Sequence, residues 1–199
     1  MSVTIYVEGG GSESFDQCRR AFRLYCDKLE PRRPPRIKAC GGRSQAYRDF
    51  CIAVGQAEIG DRIYLLVDSE DPIAAENKWR HLAERPGDGW APPSGTGEEN
   101  VFLMTTCMET WFLADKSAII AYYAGDHLLE QHLACNPVVE LIPRDDVQRK
   151  LLAATAQCAR KGRYHKVNDG FAILPMLNPA TVESVSPHAR EFNDFIRQL

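Results

Sequence analysis

The sequence predicts an α/β protein with a mainly parallel sheet flanked by helices and a helical C-terminal part. Three observations carry this. Short apolar runs alternate with helix-periodic stretches through the first half of the chain, the pattern of βαβ units. The run Ile63 to Val67 is apolar throughout, as a central strand covered on both faces requires. Two other runs, ending at Val7 and Cys40, pass directly into glycine-rich turns.

In chain order, Val3 to Val7 reads as the first strand, closed by Glu8-Gly9-Gly10-Gly11. Phe15, Cys18, Phe22, Cys26 and Leu29 recur at helical spacing, so a helix is expected from about Ser12, ended by Pro31, Pro34 and Pro35. Ile37 to Cys40 is the second strand. Tyr47, Cys51 and Val54 mark a second helix, with Phe50 beside its face. The third strand, Ile63 to Val67, stops at Asp68-Ser69-Glu70-Asp71-Pro72. With Asp71 as N-cap and Pro72 at the first helical position, a third helix is expected to run to about Arg85. Pro86 to Glu99 is rich in Gly and Pro without periodicity, a loop expected to be the first site of proteolysis. Val101 to Met104 is the fourth strand. From Cys107 a helix carries Met108, Trp111, Phe112, Ile119 and Tyr122. Further helices are expected over Asp146 to Arg160 and about Asn168 to Leu177. A last one starts at Ser186-Pro187 and buries Phe192, Phe195 and Ile196. Residues 1–125 thus form an α/β core and 126–199 a helical part packed on it.

The chain has 199 residues, 44% hydrophobic and 26% charged, which excludes intrinsic disorder as the main state. Its net charge is −3, so affinity for nucleic acid requires local patches rather than an overall field. No apolar run is long enough to cross a bilayer. The N-terminus reads as a strand and not as a signal peptide. The seven cysteines are odd in number and scattered, with no C-x-x-C pair, which suits core filling in a reducing compartment. A cytoplasmic protein is therefore expected, free of the membrane. His127 and His132 are five apart, off the spacing that pairs ligands on a helix, and are read as solvent-facing.

In parallel sheets ligands bind at the carboxyl ends of the strands, and here those ends carry acid. Asp68 and Glu70 are separated by one residue, so in extended chain their carboxylates point to one side. Glu8 ends another strand. Three acids so placed repel one another unless a cation lies between them, and hard oxygen ligands select Mg²⁺ or Mn²⁺. Asp68 also suits a helix cap. The turn Gly9-Gly10-Gly11 fits neither the P-loop pattern nor G-x-G-x-x-G.

Apolar strand–Glu8-Gly9 followed by apolar strand–Asp68-x-Glu70 resembles the TOPRIM superfamily of topoisomerases, bacterial primases and OLD-type nucleases. The run Cys107-Met108-Glu109-Thr110-Trp111-Phe112-Leu113-Ala114-Asp115 is similar to a bacterial TOPRIM-like family often encoded beside an AAA-type ATPase in defence loci. The superfamily pattern has Asp where this chain has Glu70, and Asp71 is an alternative second acid. The resemblance implies a TOPRIM-like fold and Mg²⁺- or Mn²⁺-dependent phosphodiester hydrolysis of nucleic acid in anti-phage defence, with an ATPase partner. It implies Glu8 as general base or metal ligand, Asp68 and Glu70 as metal ligands, and Glu109 as a second-metal or supporting acid. The alternative is a non-catalytic module that docks on the ATPase.

Two basic stretches bear on substrate. Pro31-Arg32-Arg33-Pro34-Pro35-Arg36-Ile37-Lys38 reads as a solvated loop. Arg160-Lys161-Gly162-Arg163-Tyr164-His165-Lys166 reads as a nucleic-acid contact, with Tyr164 as a base-stacking aromatic. OLD-type nucleases use a lysine to stabilise charge developing on phosphate. Lys166 is the candidate, with Lys161 and His165 as rivals.

Overall fold

A computed structural model of the chain describes residues 2–73, 77–134 and 138–199. Among them are four strands, β1 (Val3–Glu8), β2 (Arg36–Cys40), β3 (Arg62–Asp68) and β4 (Val101–Met104). They form one sheet in the order β2-β1-β3-β4, with every neighbouring pair parallel. The register sets Ile5 against Ile37 and Tyr64, and Val7 against Ala39 and Leu66.

The helices between strands are α1 (Phe15–Asp27), α2 (Arg43–Gly55) and α3 (Lys78–Glu84). The chain steps outward from β1 to β2, then returns across β1 to β3 and on to β4. A step that reverses direction with unchanged handedness puts its helix on the other face. The packing agrees. Val7, Ala39, Leu66 and Met104 share one core with α1, whereas Tyr6, Cys40, Leu65, Val67 and Leu103 share the other with Phe50 of α2 and Trp79 and Leu82 of α3. Between β1 and β3 the chain's direction switches, so the helices diverge there and leave a crevice at the strands' carboxyl ends.

The rest of the chain supplies α4 (Glu109–Ala114), α5 (Lys116–Tyr122), α6 (Arg144–Ala154), α7 (Lys166–Ile173), α8 (Pro179–Val185) and α9 (Pro187–Arg197). These join the α1 side: Trp111, Phe112, Leu151, Ile173, Phe192 and Ile196 are all buried in the same cluster as Phe22 and Leu66. The C-terminal helices thus make one face of the sheet thick, and bring α7 and the start of α6 to the crevice.

Several boundaries differ from the sequence expectation. The third helix starts at Lys78, capped by Asn77, whose side chain accepts from the Arg80 N–H. Asp71 and Pro72 therefore do not begin it, and residues 74–76 lie outside the described residues. The helix expected from Cys107 is two helices, broken at Asp115, whose backbone (φ −116°, ψ 76°) is not helical. Asp115 instead accepts from the Asn178 N–H (2.7 Å) and ties α4 to α8. The helix expected over Asp146 to Arg160 begins earlier, at Arg144, and ends at Ala154. Helix α7 begins at Lys166 and becomes a 3-10 turn at Leu174. Helix α8 was not expected from periodicity; Asn178 caps it and Pro179 fills its first position. The cap at Ser186 is as read, with its hydroxyl accepting from Ala189 N–H.

The segment from Pro86 to Glu99 has no regular structure until a 3-10 turn at Glu98–Asn100, yet it is held down. Trp90 is buried and stacks on Tyr47 (4.4 Å between centroids), and the Tyr47 hydroxyl donates to Ala91 O. Its aromatic anchor overrides the Gly and Pro content. Among the described cysteines all are free, and only Cys51 is not buried; Cys135 lies outside the described residues. His127 and His132 are exposed. No described helix is long and apolar enough to cross a membrane.

Candidate metal centre at the strand ends

The sheet topology brings the last residue of β1 beside the last residue of β3. Glu8, Asp68 and Glu70 each offer a carboxylate oxygen within 4.8 Å of the others. Glu8 and Asp68 border a cavity of about 160 Å³ also lined by Gly10, Gly42, Met108, Lys166 and Phe171.

Local structure fixes each acid. Gly9 follows Glu8 because a Cβ there would lie 2.5 Å from Sγ of the buried Cys18, and Gly10 takes a left-handed turn at φ +71°. Together they turn the chain away and leave the Glu8 side chain at the crevice mouth. Asp68 is buried, and its Oδ1 accepts from the Met108 N–H at the start of α4 (2.8 Å). Its cap role is therefore real, but it caps the helix after β4 rather than the one after β3. Its Oδ2 faces Lys166 Nζ at 3.4 Å.

Glu70 has φ +69° and Thr106 φ +58°, a left-handed backbone uncommon for residues with a Cβ and especially so for a β-branched one. The two are locked together. Glu70 N–H donates to Thr106 O (2.9 Å), and Thr106 N–H donates to Ser69 Oγ (2.7 Å), which donates to Asp71 O (2.6 Å). Strain of this kind persists where surrounding structure over-determines it, and it clusters at functional sites.

The electrostatics are unusual. Burial, then the neighbouring Asp68, pushes the Glu8 carboxyl up to about 8, although Lys166 and Arg43 pull it down. Burial likewise raises the Asp68 carboxyl, against the pull of Lys166. Oε2 of Glu8 and Oε2 of Glu109 are buried without a hydrogen-bond partner. Burial opposes the charge on Lys166, but Asp68, Glu109 and Glu8 outweigh it and hold the ammonium above its usual range.

Lys166 is thus the cation at the acids, 3.4 Å from Asp68 and 4.0 Å from Glu109. Its rivals are elsewhere. Lys161 donates its N–H to Asp126 and lays its ammonium 3.8 Å over the Tyr122 ring. His165 caps α7, its Nδ1 accepting from the Asn168 N–H. Arg160 also binds Asp126 through its backbone, and Arg163 lines a separate surface groove with Asp145 and Arg149. The basic stretch therefore divides, and of its cations only the last, Lys166, reaches the crevice acids. Tyr164 corrects the stacking expectation: it is buried, and its hydroxyl donates to Glu109 Oε1 at 3.1 Å, so no base can lie on it. Asp71 is exposed and paired with Arg85 (3.5 Å), outside the acidic triad.

Sequence reasoning missed Arg144. It reaches from the first residue of α6 to the Glu70 carboxylate, with Arg85 3.9 Å from the same group. The signal was available: a cation in the first turn of a helix opposes the helix dipole and needs a partner.

Comparison with known proteins agrees with one family, described as a domain of unknown function, DUF4276, whose pattern matches residues 7–199. The chain is a member of the DUF4276 family. No curated protein and no solved structure matches it. The match takes in Asp68, Glu70, Glu109, Arg144 and Lys166, so the whole crevice of this DUF4276 chain lies within the family's span.

The donor set suits a hard divalent ion. Four carboxylates, Glu8, Asp68, Glu70 and Glu109, face Lys166 and Arg144, with Arg85 3.9 Å from Glu70. The excess of carboxylates over cations, with an orphaned oxygen on Glu8 and burial raising the Glu8 and Asp68 carboxyls, is what a divalent cation would relieve.

Proposed function

We propose that this DUF4276 chain is a Mg²⁺- or Mn²⁺-dependent phosphodiesterase acting on nucleic acid, with a TOPRIM-like centre. The observation that carries the reading is the convergence of Glu8, Asp68 and Glu70 at adjacent parallel strand ends, with Lys166 beside them. Glu8, Asp68 and Glu70 would hold the ion. When bound, such an ion polarises a phosphoryl oxygen and lowers the pKa of water. The protein's own groups do the rest. Lys166 stays charged and lies where it can face the additional negative charge on phosphorus. Tyr164 and Met108 orient Glu109 and Asp68 through hydrogen bonds, so both carboxylates are positioned before substrate arrives. Arg144 holds Glu70. The sequence resemblance supports an AAA-type ATPase as partner and anti-phage defence as the setting.

A second reading, a non-catalytic module that docks on that ATPase, is favoured by the structural bonds that Asp68 and Glu70 already make. One experiment separates them. Purified protein is incubated with single- and double-stranded DNA and RNA, with Mg²⁺, Mn²⁺ or chelator, alone and with the ATPase. The enzyme reading expects metal-dependent cleavage that Asp68→Asn abolishes. Absence of cleavage in every arm, or equal cleavage by Asp68→Asn, leaves the module.

A further inference from the structure

The two edges of the sheet are treated differently. The β4 edge is covered, every residue of Val101–Met104 being buried. The β2 edge is open in part: Arg36 and Lys38 are exposed, and Ile37 and Ala39 keep 9% of their surface. Beside it runs a groove of about 430 Å³, walled by Phe15 and Arg19 of α1 on one side and Gln45 and Asp49 of α2 on the other.

The backbone along this groove is available for pairing. The Cys40 carbonyl accepts from the Gly9 N–H (3.1 Å), so Cys40 turns its polar groups to β1. In a parallel ladder this alternates along the strand, and Lys38 and Arg36 do the same. Ile37 and Ala39 therefore point N–H and C=O outward, along the groove. An exposed edge with free ladder groups is a template for an added strand.

The charge around this edge selects the occupant. Arg36 and Lys38 are exposed and have no ion pair among the described residues, and Arg32 and Arg33 stand exposed just before them. Asp49 is the one acid on the groove's walls, and it accepts from Gln45 (2.7 Å). A second copy adding β2 to β2 would bring Arg36 and Lys38 of both copies together, and like charges across a strand pair are unfavourable. The basic run that reads in sequence as a solvated loop thus flanks a built edge.

We propose that the β2 edge is a docking site for an extended acidic segment of a partner protein, which adds as a fifth strand through Ile37 and Ala39. This does not rest on the nuclease reading, because the edge lies outside the acidic crevice.

The probe is a blocked heptapeptide alternating glutamate and valine, with a lysine–valine peptide and a single-stranded oligonucleotide of matched charge as controls. Amide hydrogen exchange is followed on the full chain. At a peptide concentration of about ten times Kd, exchange at Ile37 and Ala39 should slow roughly tenfold, by mass action. Lys38→Glu should remove this protection while leaving the β1 ladder intact. Ala39→Pro deletes an outward N–H that β1 does not use, and should do the same. The proposal is overturned by no slowing at millimolar peptide, or by equal slowing with the lysine peptide. It is overturned too by stronger slowing with the oligonucleotide, or by slowing that follows protein concentration together with a doubled mass in light scattering, which would make a second copy the occupant.

Discussion

Two groups of buried charge lie within a few residues of the same strand ends, and they differ in balance. Under the 86–100 segment, Arg43 and Asp88 form a two-pronged pair: Nε lies 3.2 Å from both carboxylate oxygens and Nη2 lies 2.6 Å from one. Both side chains are below 10% exposed, and the guanidinium stacks 4.6 Å over Trp90. Asp88 answers Arg43 and also draws Arg85 (3.4 Å), and the product is a pinned loop. At the crevice, acids outnumber cations, two carboxylate oxygens are orphaned, and two backbones are held left-handed. A buried charge is therefore no sign of function by itself. Surplus of one sign, left uncompensated at a site the fold keeps open, is what asks for a ligand.

The largest effect should come from breaking the crevice. Asp68→Asn keeps the shape and the acceptor for the Met108 N–H but removes a charge. If the ion-assisted reading holds, cleavage should fall at least about 10³-fold, since charge stabilisation of this kind is worth several kcal/mol. Circular dichroism and the melting curve should stay near those of the unmodified chain. Lys166→Ala should lower cleavage by a similar order while tightening divalent-ion binding, because a competing cation 3.4 Å from Asp68 is gone. Weaker ion binding by Lys166→Ala, measured by calorimetry, would contradict the site as drawn.

Breaking the balanced pair should do the reverse. Asp88→Ala leaves the Arg43 charge buried without its partner, a change that typically costs about 3–5 kcal/mol. The melting temperature should fall by several degrees, the 86–99 segment should become the first site of limited proteolysis, and cleavage of nucleic acid per folded molecule should be unchanged. In the unmodified chain the same segment should resist nicking, contrary to what its Gly and Pro content suggests.

A pH experiment compares the two groups directly. Glu8 has a folded-state pKa near 8 against an ordinary 4.5, because burial and Asp68 disfavour its charge. Below pH 4.5 it is neutral in both states and costs nothing. Between 4.5 and 8 the unfolded chain releases this proton while the folded chain keeps it, so stability declines as pH rises; above 8 the loss levels off. The difference in melting temperature between the unmodified chain and Glu8→Gln should trace that window in chelator. Saturating Mg²⁺ should flatten it by replacing the proton. Parallel curves for the two proteins would show that Glu8 is not held at the crevice.

The fold was legible because its determinants are local. Apolar runs of strand length and glycine turns show in a single sequence: β1 and β4 begin at Val3 and Val101 as read, and β2 and β3 one residue before Ile37 and Ile63. The three acids could be singled out because strand ends and motif spacing are sequential properties; Lys166 came from its basic stretch and from the resemblance to OLD-type nucleases. What the sequence hid depends on contacts between distant segments. Tyr164 looks like an exposed aromatic in a basic run, and only the tertiary fold puts its hydroxyl on Glu109, 55 residues away. Arg144 meets Glu70 across 74 residues. Trp90 alone, among seven glycines and prolines from Pro86 to Gly97, was the sign that the loop packs, and composition outvoted it.

The smallest expected effect settles which acid follows Asp68 as a ligand. Glu70 and Asp71 are adjacent, and spacing alone leaves both open. The turn at Glu70, with its positive φ, sends the two side chains apart: Glu70 into the crevice at 10% exposure beside Arg144, Asp71 outward at 66% exposure beside Arg85. Asp71→Asn should change neither ion affinity nor cleavage, and its stability should shift by less than about 1 kcal/mol, as for an exposed pair. Glu70→Gln should weaken Mn²⁺ binding and slow cleavage, although Arg144 can still hold the amide oxygen. If Asp71→Asn instead proves the more damaging of the two in ion titration, the chain must reorient at Glu70 when the ion binds. The left-handed backbone there would then be the resting state of a turn that flips, rather than part of a preformed centre.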